Sequence, residues 1–172
     1  MSTYHFYKQG YALPADFFGM AALRKTVDMP AIIAQGSRGH SPLAVAGVRT
    51  AVPSTGMAAA DVLQLFRVPA GTMVKSVGMR VTTPNAAATT IEIGCNSATQ
   101  THLLAADPNG FMTATATNAT GVTITEVGAA QAGSDTVEGC VYITNGTIDL
   151  TTAVDVWLAG IIDFWADVVK VF

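Results

Sequence analysis

Charge is what this sequence has least of. Charged residues make up 12% of 172 positions, about half the usual share. Hydrophobic residues make up 50%, and mean hydropathy is +0.40. A monomer so poor in charge has little with which to clothe its surface. The apolar excess calls for a membrane or for partner subunits.

Long uninterrupted apolar runs are missing too. The best candidate, VDVWLAGIIDFWADVVKVF at the end of the chain, contains Asp155, Asp163 and Asp167, which are costly in hydrocarbon. The first residues, MSTYHFYKQGYALP, lack the basic start and apolar core of a secretion signal. The expectation is a chain made in the cytoplasm, without a membrane partner, that assembles with copies of itself or with another protein.

Cysteine and histidine are scarce. Cys95 and Cys140 allow one intramolecular bridge, but without a secretory route the expectation is two buried thiols, with the disulfide as the alternative. His5, His40 and His102 are scattered, and no ligand pair has short spacing, so no metal is expected. The sequence contains neither a G-x-G-x-x-G nor a P-loop, and no cofactor is expected. GHSPL (residues 39–43) has Leu43 where a nucleophile elbow needs glycine, and reads as a Pro-containing loop. DPNGF (residues 107–111) lacks the further acids and closing Glu of a calcium loop, and reads as a β-turn. With no nucleophile–base pair in view, the chain is not expected to be an enzyme.

The charges that are present are unevenly placed. Five basic residues stand against two acids up to residue 60, and four against ten from Asp61 onward. A basic front on an acidic body suits contact with an acidic surface. Five cations over sixty positions form no dense patch, so nucleic acid is not an expected partner.

Residues 1–55 differ in character from the rest. Five of the seven prolines (Pro14, Pro30, Pro42, Pro53, Pro69) fall in the first seventy residues, and glycines recur between them. Such punctuation breaks regular elements. The segment reads as an extended N-terminal arm with one short helix at ADFFGMAALRK (residues 15–25). Its aromatics are too many for a solvated tail, so it is expected to order against a neighbour. Tyr4, Phe6, Tyr7, Tyr11, Arg24, Lys25 and Arg38 are its candidate contact residues. A few edge strands of the same domain are the alternative reading of this segment.

From Asp61 a period of two dominates, giving an all-β domain over residues 56–172. In TMVKSVGMRVTT, Met73, Val77, Met79 and Val81 share a face interrupted by Lys75, with Val74 an exception on the other. Thr89, Ile91, Ile93 and Cys95 alternate, and VTITEV (residues 122–127) alternates again. EGCVYIT and TIDLTT flank Asn145-Gly146, the strongest short hairpin signal. The last twenty residues fit both periods, and strand is favoured from about Val154 to Phe164. Strands at short spacing with Gly, Pro and Asn turns indicate a β-sandwich or jelly roll. Trp157 and Trp165 lie in the most apolar segment, and are candidates for the core or a subunit interface.

The run LQLFRVPAGTMVKSVGMRVTTP, then TTIEIGC, HLLAADPNGF and GTIDLTTAVDVWLAGIIDF, resembles the capsid cement, or decoration, proteins of tailed bacteriophages. The resemblance spans roughly residues 61–165 and rests on strands and turns. It implies a β-sandwich or jelly-roll knob, usually a homotrimer, that sits on the outer surface of the virion's capsid. There such a protein binds the major capsid protein and clamps neighbouring subunits. The alternatives are a phage fibre or receptor-binding module that recognises host sugar through Trp157 or Trp165, a tail or head-completion protein, and a hydrolase on a β-sandwich.

Overall fold

The computed structural model describes residues 3–5, 19–37, 44–45, 48–49, 54–95, 107–126 and 140–171. Strands dominate: β1 (Thr3–His5), β2 (Met20–Asp28), β3 (Ala44–Val45), β4 (Val48–Arg49), β5 (Val62–Val68), β6 (Thr72–Thr83), β7 (Thr90–Cys95), β8 (Asp107–Ala116), β9 (Gly121–Glu126), β10 (Cys140–Tyr142), β11 (Gly146–Val154) and β12 (Ile161–Lys170). One helix, α1 (Met29–Ser37), follows β2. The first sheet has the order β1-β5-β11-β7-β8. The second has the order β10-β6-β12-β2, with β9 also paired to β6. The expected all-β, jelly-roll-like sandwich is what the chain forms.

The core lies between the sheets and is built by alternation. Ile162, Phe164, Ala166 and Val168 of β12 point inward, as do Ile91, Ile93 and Cys95 of β7. Cys95 is a buried thiol. In β6 the parity changes: Thr72 and Val74 are buried before Lys75, and Val77, Met79 and Val81 after it. The pairing with β12 slips at that point, because Asp167 faces Ser76 while Val168 faces Val74. Lys75 is the extra residue of a bulge, which explains Val74 and leaves Met73 half-exposed instead of inward.

Successive strands mostly change sheets. The turn at Pro69-Ala70-Gly71 joins β5 of the first sheet to β6 of the second, with Gly71 at φ 75°. Asn145-Gly146 does the same between β10 and β11, so no hairpin forms there. Neither residue has the positive φ of a type I′ turn. The Asn145 side chain instead accepts the Ala70 amide at 3.0 Å, and the Gly71 amide donates to the Tyr142 carbonyl at 2.7 Å. Two corners are thereby pinned together.

The N-terminal region departs from expectation. Over residues 20–25 the expected helix is instead strand: Met20–Asp28 alternates and pairs with β12 from Ile161 to Val169, while residues 15–18 lie outside the described residues. The helix begins one residue later. Asp28 caps it by accepting the Ala31 amide at 3.0 Å, and Pro30 occupies its first turn, where a missing N–H costs nothing. Pairing also crosses the expected division at residue 55, since β1 joins the first sheet and β2 the second. DPNGF is likewise not a free turn but the start of β8, where irregular pairing opposite Ile93 and Cys95 absorbs the extra residues. At the C-terminus the strand reading holds, but the strand runs over Ile161–Lys170. Asp155 (φ 61°) and Gly160 (φ 102°) shape the loop before it.

Candidate docking face

The outer face of the second sheet collects its most distinctive side chains. Register alignment puts them in rows across β2, β12, β6 and β9. One row is Thr26, Asp163, Arg80, Val122; the next is Arg24, Trp165, Gly78, Ile124. Trp165 lies over Gly78 so closely that a Cβ there would sit 2.2 Å from the indole Cε2. The ring occupies the space that a side chain at residue 78 would take.

The acids flanking the indole are committed to neighbours. The Thr26 hydroxyl donates to Asp163 Oδ1 at 2.6 Å, and Arg80 Nη2 donates to Oδ2 at 2.6 Å. The Thr26 hydrogen bond first, and then Arg80, hold Asp163 below its ordinary pKa. On the other side the Ser76 hydroxyl donates to Asp167 Oδ2 at 2.7 Å. The exposed Arg80–Asp163 ion pair is worth about 1 kcal/mol at most; together these contacts frame Trp165. Between the indole and the two arginines lies a hollow of about 560 Å³.

β9 is the anomaly of the sandwich. Its Thr125 is buried, while Val122 and Ile124 are 59% and 61% exposed. The register with β6 fixes this inversion, since Gly78 faces Ile124 and Arg80 faces Val122. A strand that turns its β-branched aliphatics outward is wasting burial unless something covers them. Met20 of β2, 79% exposed, adds to the same sheet.

The sequence candidates distribute unevenly over this site. Arg24 and Trp165, which came from separate candidate groups, are brought into one row. Lys25, one residue on, faces inward beside the buried Phe164 and is itself buried. It is not a surface contact, and burial pushes its pKa down to about 7. Trp157 takes the core side of its expectation. It is 0% exposed, paired with Met57, and its Nε1 donates to the Ala159 carbonyl at 2.8 Å. Tyr4 lies in β1 opposite Leu63. Phe6, Tyr7, Tyr11 and Arg38 are outside the described residues, as is the GHSPL loop. Sequence reasoning missed Val122, Ile124 and Gly78, because alternation shows that two faces differ but not which one is inside.

An aromatic ring and an arginine are among the residue types enriched at the centre of protein contacts, and this face has both. Among the described residues no group of three His, Cys, Asp or Glu side chains could hold a metal ion.

No protein-family model matches the chain, and no curated protein does. Solved structures do. A chain in the capsid of Ralstonia phage GP4 aligns with a TM-score of 0.56 and 14% identity, over 92% of this chain and 90% of that one. The likeness is one of fold. Lower scores are found in the acidic stable capsid of Helicobacter pylori bacteriophage KHP30 (TM-score 0.46, 8% identity, 87% of this chain and 86% of that one). The capsid asymmetric unit of cyanophage Pam1 gives a TM-score of 0.41, with 14% identity over 91% of this chain and 90% of that one.

Proposed function

We propose that the chain is a virion structural protein of a tailed bacteriophage, a cement or decoration protein. It binds the outer surface of the major capsid shell and clamps neighbouring subunits. The observation that carries this reading is the sandwich it shares with a chain in the capsid of Ralstonia phage GP4. The nearly equal aligned shares, 92% and 90%, make that capsid chain similar in length to this one.

Two physical features support it. The low charge calls for burial against other subunits, and β9 supplies outward aliphatics for such burial. The partners in this reading are copies of the chain, as a homotrimer, and the major capsid protein. Assembly takes place in the host cytoplasm. Tyr4, Phe6, Tyr7, Tyr11 and Arg38 remain candidate shell contacts together with Arg24, while Lys25 leaves that group because it is buried.

The test uses heads of the encoding virus assembled without this protein. Purified chain should pellet with them to saturation and raise their resistance to heat. Failure to pellet at low salt, where a basic front would bind best, would sink the reading. A receptor-binding module for host sugar is the second reading, favoured by the half-buried indole beside Arg24. A glycan screen with Trp165→Ala as control separates the two.

A further inference from the structure

Of the seven exposed large hydrophobics among the described residues, five fall in two places, with Ile143 and Val171 elsewhere. Met20, Val122 and Ile124 belong to the second sheet with Trp165 and Arg24. Val154, the last residue of β11, and Leu158, on the loop that follows it, are 58% and 47% exposed. Each place offers one exposed charged group outside any salt bridge among the described residues, and the two are of opposite sign. Arg24 is exposed and has no salt bridge among the described residues, whereas Asp163 and Asp167 beside it already have partners. On the loop, Asp155 is the one exposed acid among the described residues whose side chains are placed.

The loop is also held in shape. Asp155 Oδ1 accepts the Val156 amide at 2.8 Å, at a φ of 61°. The Val156 carbonyl accepts from Thr89 Oγ1 at 2.8 Å and from Asn85 Nδ2 at 3.2 Å. The Ala159 amide donates to Asn85 Oδ1 at 3.2 Å. Asn85 and Thr89 are buried. A tip fixed on both sides by a buried polar clasp loses little freedom on docking.

We propose that a second copy of this chain docks its tip at residues 154–158 onto the Trp165 face, with Asp155 opposite Arg24. Val154 and Leu158 then cover the outward aliphatics of β9, and the inversion of that strand has a purpose. The contact joins two different patches, so repetition closes a ring or runs on as a filament. The proposal deepens the homotrimer part of the proposed function, and rests on it only for the number three.

The experiment is a charge swap read by light scattering on a sizing column, across a concentration series. Arg24→Glu and Asp155→Arg should each weaken self-association by at least about tenfold. The double variant should restore it. Both sites are exposed, and circular dichroism is the check that each variant is folded. As a second readout, Trp165 emission should shift to shorter wavelength on self-association in the wild type and in the double variant only.

A monomeric wild type, or single variants with unchanged mass, would overturn the proposal. So would a face that takes up a sugar or the shell protein while the chain stays monomeric. Head binding is measured separately, so a monomer that still pellets with heads removes this contact and leaves the cement reading standing.

Discussion

Trp165 rests on Gly78, one strand across, with the indole filling the place where any other residue would put its Cβ. The pair sets the shape of the outer face. Gly78→Ala is expected to lift the ring rather than break the sheet, because the ring can swing towards solvent. Stability should fall by about 1–2 kcal/mol. Emission should move to longer wavelength, with stronger acrylamide quenching, while the buried Trp157 keeps its signal. An unchanged spectrum would mean that the ring is not seated there.

Gly56 is the opposite case. It has a φ of 83°, and a Cβ would meet the Trp157 carbonyl oxygen at 2.5 Å and the Leu158 Cα at 2.9 Å. Both obstacles are backbone and cannot swing away. Gly56→Ala should cost about 2–4 kcal/mol in urea unfolding. Gly121→Ala, which has nothing within 4 Å of its new Cβ, is the control and should stay within about 0.5 kcal/mol.

The buried clasp at Asn85 ties three loops. Besides its contacts to Thr89, Val156 and Ala159, the Asn85 amide donates to the Thr117 carbonyl at 2.9 Å, and Thr117 Oγ1 donates to the Thr89 carbonyl at 3.0 Å. Asn85→Ala strands buried polar groups and should cost about 1–3 kcal/mol. Hydrogen exchange at Ala159 should speed up with it. Unaltered exchange would show that the loop is held by other means.

Lys25 gives the fold a pH dependence. Burial lowers its pKa from 10.5 to about 7, so between those values the unfolded chain binds the proton and the folded chain does not. Stability therefore rises with pH across that window, by up to about 1.4 kcal/mol per unit. Below pH 7 the ammonium is charged in both states and the penalty is full. Lys25→Met should stabilise the protein most at pH 6, with the advantage shrinking by pH 9. An advantage equal at both pH values would contradict this origin.

Much of the sandwich was legible because alternation is a local property. Ile91, Ile93 and Cys95 declare their shared face in six residues. The short helix is also written in the chain, as Asp28 before Met29-Pro30, but Pro30 reads equally as punctuation. Lys25 shows the opposite problem. A lysine next to an arginine looks like a surface pair, yet strand geometry sends adjacent side chains to opposite sides.

The sequence by itself determined the all-β class, the alternating faces, the lack of charge that calls for partners, and most of the strands. Only the tertiary structure decided which sheet each strand joins, since a turn such as Asn145-Gly146 can end a hairpin or switch sheets with the same residues. It also decided which face of β9 looks outward. A period of two fixes that Val122 and Ile124 lie together, but inside and outside are defined by register with β6, a contact more than forty residues distant in the chain. The docking face exists because long-range pairing placed Arg24, Trp165, Gly78 and Ile124 in one row, and no local pattern encodes a row across four strands.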